Sequence, residues 1–265
     1  MKGKQQNLYS VPNLDRALAI IEYLAGKSEG YNITGIAEQL GFPKNSVYRI
    51  VKTLLMHGYL SQTEKIYTVT TKLLALGYAA LGKINILEIA IEIMRDLRDE
   101  SKETVLIGTL VGNKGVVLEQ VPSSYEIKFT IDVGHIFLPH TAAPGKAILA
   151  YLPQQERDRI LNEMEYTRYN SKTITNPKSM MECLADVQLR GYAVDSAERI
   201  ESLHGVASPV FNHWGYPIAA IWITGPAFRM PECDFGELGE IVKKHAYRVS
   251  SRLGWNPGPQ KMSAG

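Results

Sequence analysis

The chain has 265 residues, of which 45% are hydrophobic and 21% are charged, and its net charge is +2 at neutral pH. This composition is typical of an ordinary soluble protein that can bury a core, and the length favours two domains. The longest apolar runs are too short to cross a bilayer and no hydrophobic segment follows the basic N-terminus, so we expect a cytoplasmic protein without membrane contact.

Cysteine usage and charge distribution narrow the function further. Cys183 and Cys233 show no CxxC or Cys/His spacing, which excludes a disulfide framework and a zinc site, and we expect neither a metal nor a cofactor. Residues 1–83 contain ten Lys and Arg against five Asp and Glu, a net charge of +5, and the remainder carries −3. A basic N-terminal segment is compatible with a polyanionic partner, but charge alone does not identify one.

Two helices are predicted at the start of the chain. Apolar side chains at helical spacing predict an amphipathic helix over residues 14–25, capped by Asn13 and ended near Gly26. Thr34 is predicted to cap a second, short helix that stops at Gly41.

A third helix and a hairpin follow. Pro43 suits a first helical position. The apolar side chains after it form a stripe that demands burial, namely Val47, Ile50, Val51, Leu54 and Leu55. Residues 59–70 are β-branched and aromatic around a polar tip at 63–65, which predicts a hairpin. This order of elements predicts a winged helix-turn-helix over residues 1–70.

The side of the third helix opposite the stripe is polar and has no acidic residue. A helix-turn-helix places the second helix of the motif, here the third helix of the chain, in the major groove. In that position Arg49 can bind guanine, Asn45 can bind adenine, and Ser46 can bind either base or phosphate. Lys44, Lys52 and Tyr48 suit contacts with the phosphate backbone, and Lys65 in the wing can reach an adjacent groove. The alternative is a solvated helix face, which the succession of short helix, turn and wing disfavours. The predicted DNA-binding residues are Thr34, Lys44, Asn45, Ser46, Tyr48, Arg49, Lys52, Thr53 and Lys65.

Residues 71–84 are predicted as a linker helix. Its apolar surface is either a dimer contact or the buried side of a helix packed on its own domain, and both interpretations stay open. The residues concerned are Leu73, Leu74, Leu76 and Leu81.

The remainder of the chain predicts an α+β domain over residues 85–258, with a loose tail at 259–265. Helices are predicted at 86–100, 144–151, 154–162, 177–190 and 237–253. Strand-like runs occupy 105–112, 115–121, 125–132, 191–195, 205–211 and 216–224. Consecutive strands joined by turns and flanked by helices indicate a mixed sheet domain.

Six blocks follow one another in this sequence: VPNLDRALAIIEYLA, ITGIAEQLGFPKNSVYRIVKTLLMHGYL, YTVTTKLLALG, LPHTAAPGKAILA, RGYAVD and GVASPVFNHWGYPIAAIWITGPAFR. In order and at natural spacing, they resemble the successive blocks of the IclR-type family of bacterial transcriptional regulators. The resemblance runs from about Val11 to Leu253, and it implies a winged helix-turn-helix, a linker helix and a C-terminal effector-binding domain of GAF-like α/β fold. Such proteins form dimers or tetramers and act as repressors, activators or both, often in response to small organic or aromatic acids.

The resemblance also implies an effector pocket. Gly205 stands where many relatives have cysteine, and Trp222 stands where many have serine. Either the indole stacks on a flat ligand in a reshaped pocket, or it fills the space that Gly205 leaves and little pocket remains. The positions that match the family's pocket are Ala143, Pro144, Asp195, Leu203, Gly205, Trp222 and Thr224.

Residue chemistry adds three expectations for this region. Small residues at 141–145 before a helix suit a carboxylate at the helix N-terminus, although tight packing of the loop explains them equally. Asp195 is expected to accept hydrogen bonds from a ligand hydroxyl or from nearby backbone. We expect Lys146 to be solvated and His140 and His204 to be hydrogen-bonded structural residues.

An enzyme is the competing class. His140, Asp195, His204 and Ser208 could supply acid-base or nucleophilic groups, but no GxSxG elbow is present and residues 145–147 do not form a phosphate-binding loop. We therefore predict a non-enzymatic transcription factor that binds a double-stranded DNA operator as a homodimer or homotetramer and responds to a small organic acid. A DNA-binding architectural protein without an effector is the alternative.

Overall fold

The structure is a computed structural model that describes residues 10–27, 29–73, 75–76 and 86–256. The chain divides into two compact units, Met1–Ile84 and Asn85–Gly265. Most of the predicted linker helix, including Leu74 and Leu81, and all of the predicted tail at 259–265 lie outside the described residues. Within the described ranges, no helix combines the length and the apolar character needed to span a membrane.

The first unit is a winged helix-turn-helix, as predicted. Its elements are α1 (Pro12–Ala25), α2 (Ile33–Leu40), α3 (Lys44–Met56), β1 (Leu60–Thr63) and β2 (Ile66–Val69). The apolar stripe of α3 is buried against α1 and α2, together with Ile20, Leu24, Ile36, Leu60 and Tyr67. β1 and β2 form an antiparallel hairpin, and Tyr31 pairs with Tyr67 through two backbone hydrogen bonds, which fixes the hairpin to the helices.

The helix starts differ from the prediction. α1 begins at Pro12 and has no side-chain cap, so Asn13 lies inside the helix. The Asn32 side chain, rather than Thr34, caps α2 by accepting a hydrogen bond of 2.8 Å from the Gly35 N–H. Pro43 has an extended ψ of 127° and precedes α3 instead of opening it. Asx and proline residues at adjacent positions compete for a helix start, and spacing alone does not decide between them.

Gly41 sets the turn between α2 and α3. It ends α2 in the left-handed region at φ 66°, and its N–H and that of Phe42 return to carbonyls of the last turn. A residue with a β-carbon is strained in this conformation, so the glycine suits the turn that orients α3.

The second unit is a six-stranded antiparallel sheet in the order β5-β4-β3-β8-β7-β6 with helices on both faces. α4 and α8 cover one face, and α5, α6 and α7 cover the other. The elements are α4 (Ile86–Ser101), β3 (Thr104–Val111), β4 (Lys114–Val121), β5 (Ile136–Phe137), α5 (Ala143–Tyr151), α6 (Gln154–Glu163), α7 (Pro177–Arg190), β6 (Ala193–Ser196), β7 (Leu203–Phe211), β8 (Pro217–Pro226) and α8 (Phe235–Arg252), with short 3-10 turns at Pro139–Thr141 and Glu232–Asp234.

The strand predicted at 125–132 is wrong. This segment is irregular because β4 pairs with β5, which the sequence pattern did not reveal, and not with the segment that follows β4. Side chains of the sheet hold the segment instead: Thr104 Oγ1 donates to the Phe129 carbonyl at 2.6 Å, and Gln120 Oε1 accepts from the Ile131 N–H at 3.1 Å. The segment therefore lies over one end of the sheet without joining it.

Candidate functional site

The polar side of α3 is free of the core. Of the predicted residues on this helix, Ser46 is half-buried and the other six are exposed. Thr34 is exposed in the first turn of α2, and Lys65 is exposed at the tip of the hairpin. Among the residues that the structure describes, no acceptor holds the Arg49 guanidinium, so it is free to bind a partner.

Neighbouring side chains fix parts of this surface. Thr53 Oγ1 donates to the Arg49 carbonyl at 3.0 Å, and the Lys52 ammonium lies 5.9 Å from the centre of the Tyr48 ring. Arg16 of α1 donates to Ser46 Oγ at 3.2 Å. Sequence reasoning missed Arg16 because helical periodicity identifies the buried side of α1 but not which polar side chain reaches the next helix.

The second unit contains a cavity of about 280 Å³ between the first turn of α5 and the sheet. All seven positions predicted from the family resemblance line it, and the prediction missed the residues of the irregular segment and its surroundings. Thr141 and Ala142, which belong to the loop expected to suit a carboxylate, also line the cavity. The missed residues are Val117, Phe129, Thr130, Ile131, Asp132, His135, Phe137, Arg199 and Ile200. Of these, Phe129, Thr130, Ile131 and Asp132 belong to the segment that was predicted as a strand.

Strand register explains why distant residues meet here. Asp195 pairs with Gly205, and Gly205 pairs with Thr224, so the three residues form a row across β6, β7 and β8. Trp222 lies opposite Ala207, two cross-strand pairs along from Gly205 and Thr224, and therefore on the same side of the sheet. The row and the indole thus form the floor of the cavity.

The Trp222 indole does not fill the space at Gly205. It lies 3.0 Å from the position that a Gly108 β-carbon would take, and it packs edge-on to Phe137 with ring centroids 5.8 Å apart. A β-carbon at Gly205 would meet only ordinary contacts, at 3.6 Å from the Ile223 carbonyl oxygen, 3.8 Å from the Asp195 β-carbon and 3.9 Å from the Ala143 β-carbon. Of the two interpretations of Trp222, the open pocket agrees with this geometry.

The first turn of α5 offers two free donors. The Gly145 and Lys146 N–H groups bond to the Ala142 carbonyl, and Pro144 has no N–H. The N–H groups of Ala142 and Ala143 have no acceptor among the described residues, and both residues line the cavity. This end of the cavity can therefore bind an anionic oxygen.

The cavity hydroxyls present acceptors. Thr224 Oγ1 donates to the His204 carbonyl at 3.0 Å, and Thr141 Oγ1 donates to the Leu138 carbonyl at 3.2 Å. Since each hydroxyl proton is committed to backbone, the oxygen lone pairs remain for a ligand donor.

Asp195 is the ionisable group in the row. Its Oδ1 accepts from the Glu198 N–H at 2.9 Å. Desolvation by burial raises the pKa of Asp195 to about 7, and the positive charge of Lys146 and the hydrogen bond from the Glu198 N–H only partly oppose that shift. The carboxyl therefore exists in both protonation states near neutral pH.

Lys146 is not solvated, contrary to the prediction. Only 1% of its surface is exposed, and its ammonium donates to the Glu198 carboxylate and, at 3.0 Å, to the Val194 carbonyl. α5 is covered by the sheet on one side and by α7 on the other, so every side of its middle is buried and no polar face remains for a lysine. Glu198 supplies the compensating charge, while its Oε2 atom has no partner among the described residues.

The histidine and serine side chains considered for catalysis each contact a different backbone carbonyl. His140 Nε2 contacts the Thr167 carbonyl at 3.1 Å, His204 Nδ1 contacts the Met230 carbonyl at 2.8 Å, and Ser208 Oγ donates to the Gly191 carbonyl at 3.0 Å. The first two contacts agree with the expected structural histidines. Burial lowers the pKa of His140, which favours its neutral form. None of these three side chains forms a hydrogen bond with another or with Asp195 in the described structure.

Both units match models of a known family. The IclR helix-turn-helix domain matches residues 13–64, and the bacterial transcriptional regulator IclR C-terminal domain matches residues 78–251. The chain is 30% identical over 253 residues to the HTH-type transcriptional regulator KdgR of Escherichia coli (strain K12), which covers 94% of this chain and 95% of that protein.

Solved structures agree with this match. The crystal structure of the Thermotoga maritima IclR has a TM-score of 0.69 at 28% identity and covers 92% of this chain and 99% of that one. An IclR homolog from Microbacterium hydrocarbonoxydans, complexed with 4-hydroxybenzoate, has a TM-score of 0.78 at 18% identity over 91% of this chain and 98% of that one, a likeness of fold. The chain belongs to the IclR family of bacterial transcriptional regulators, with a DNA-binding helix-turn-helix and an effector-binding C-terminal domain.

Proposed function

We propose that this protein binds a DNA operator through the exposed side of α3 and that a small aromatic carboxylic acid, bound in the cavity of the second unit, changes this binding. The observation that carries the effector proposal is the cavity itself. Within about 280 Å³ it combines the Trp222 indole in its floor with the two free N–H donors of Ala142 and Ala143.

For the DNA side, Arg49, Asn45 and Ser46 read base edges while the lysines, Thr34, Tyr48 and Thr53 contact the phosphate backbone. Lys65 contacts the groove beside the recognition helix. Two copies of the chain place two such helices on the halves of a symmetric operator, so the active form is a homodimer or a dimer of dimers. In this proposal residues 1–70 bind DNA, residues 71–84 connect the two domains, and residues 85–258 bind the effector.

The size and the chemistry of the cavity favour a single-ring acid. A cavity of about 150 Å³ holds benzene, so about 280 Å³ accommodates one ring with a carboxylate. The ring would lie against Trp222 and the carboxylate would accept from Ala142 and Ala143. The 4-hydroxybenzoate complex of the Microbacterium homolog supports this class of ligand.

Filling the cavity tests the proposal. Gly205→Leu should abolish binding of benzoate and 4-hydroxybenzoate, because the added side chain occupies the space beside Ala143 and Asp195. Gly205→Ala is the matched control, since its single methyl group meets only contacts of 3.6 Å or more and should lower affinity severalfold at most. Calorimetric titration of both variants gives the answer.

The same variants distinguish the proposal from its alternative. A regulator that senses the acid loses the effect of benzoate on DNA affinity in Gly205→Leu while it still binds DNA. If benzoate changes DNA affinity equally in the native protein and in Gly205→Leu, the acid acts elsewhere. If no acid binds the native protein, an effector-free architectural role gains support.

A further inference from the structure

Asp195 lines the cavity in which an acid ligand would place its negative charge. The Asp195 β-carbon and the Ala143 β-carbon both lie within van der Waals distance of the same point above Gly205, at 3.8 Å and 3.9 Å. Ala143 also carries one of the two free N–H donors. Asp195 and Ala143 therefore flank the same part of the cavity, and a carboxylate that accepts from those donors would approach the Asp195 side chain.

We propose that the cavity binds its acid ligand together with one proton from solvent, which is held between the ligand carboxylate and the carboxyl of Asp195. This inference rests on the proposed effector function and adds the regulation of the same site. Two adjacent carboxylates disfavour each other's ionisation, and one shared proton turns their repulsion into a strong hydrogen bond.

The surrounding charges do not remove the need for that proton. Lys146 is a buried cation that acts on Asp195, but its ammonium is already paired with Glu198 and bonded to the Val194 carbonyl. β7 and β8 contribute no ionisable side chain to the described lining. The ionisable groups around Asp195 are Lys146 of α5, Glu198 and Arg199 after β6, Asp132 and His135 before β5, and His140 before α5.

Arg199 draws acids to the cavity without neutralising its floor. It is exposed in the lining, and its guanidinium lies 5.3 Å from the centre of the Tyr169 ring. An exposed cation attracts an anion from solvent, whereas the solvated charge is screened from the buried end.

The pKa of Asp195 also suits a proton shared with the ligand. Burial raises its pKa to about 7 before any ligand binds, and a neighbouring carboxylate raises it further. Below pH 7 the proton is already present, so binding needs no uptake. Above pH 7 the free protein has lost the proton and must recover it, so affinity should fall about tenfold for each pH unit.

Calorimetry of the full-length protein with benzoate counts this proton directly. Titrations at about pH 6 and pH 8.5, each in two buffers of different ionisation enthalpy, should give an uptake near zero at the lower pH and about one proton per benzoate at the higher pH. Asp195→Asn retains the acceptor for the Glu198 N–H but carries no charge. It should bind benzoate equally at both pH values without uptake. Asp186→Asn, an exposed position on α7, is the control and should behave like the native protein.

Each outcome decides the question. Benzoate binding to the native protein at about pH 8.5 without proton uptake would overturn the inference and leave the proposed effector function intact. Uptake that persists in Asp195→Asn would also overturn it, because the proton would then reside on another group such as His135. If benzoate binds the native protein at neither pH, the proposed ligand class is wrong and the inference falls with it.

Discussion

Lys146→Met is expected to lower the free energy of unfolding of the second unit by about 3–5 kcal/mol. The substitution retains the length of the side chain but removes the only charge that compensates the Glu198 carboxylate within the buried contacts described. Glu198 is itself 7% exposed and has one oxygen without a partner, so water does not readily replace the ammonium. Denaturant unfolding followed by circular dichroism measures the loss.

The double variant Lys146→Met, Glu198→Leu separates charge from packing. Since it removes both members of the pair, it should recover most of the stability that the single variant loses. Arg159→Met is the control, because it breaks an exposed ion pair with Glu163 and should change stability by less than about 1 kcal/mol. A single variant as stable as the native protein would show that the buried pair does not hold α5 in place.

Arg49→Ala is expected to reduce affinity for the operator about tenfold to a hundredfold, and to relax sequence preference at one or two base pairs. The guanidinium is exposed on α3, no described residue occupies it, and arginine is the side chain best suited to bind guanine in the major groove. Binding to random DNA should change much less. Competition titrations with single-base operator variants measure both effects.

Lys52→Ala is the matched control on the same helix. Because its ammonium contacts phosphate in this account, its removal should weaken operator and random DNA alike and reduce the salt dependence of binding. Equal losses on operator and random DNA for Arg49→Ala would contradict the role given to Arg49.

The DNA-binding unit could be predicted from sequence because its signals are local. The apolar stripe at Val47, Ile50 and Val51 and the glycine at 41 determine a helix, its buried side and the turn before it. Only the caps were wrong, since Asn32 and Thr34 are both good capping residues. Arg16 escaped prediction because its contact with Ser46 depends on the crossing of two helices.

The effector cavity could be predicted only in part. The family resemblance identified Asp195, Gly205 and Trp222, but periodicity could not, because strand register brings these residues together across three strands. The segment at 125–132 alternates like a strand, yet its hydrogen bonds go to side chains of the sheet. Lys146 was misjudged for a related reason: a buried lysine is recognisable only when its partner, Glu198, is found in space.

Selection of DNA from a randomised duplex pool by the full-length protein tests the central claim most directly. A regulator that reads bases through α3 should enrich a symmetric motif with half-sites about one helical turn apart, and the enriched DNA should bind about a thousandfold more tightly than its scrambled version. Equal recovery of all sequences, with and without benzoate, would contradict the account and leave the polar side of α3 as a solvated helix face.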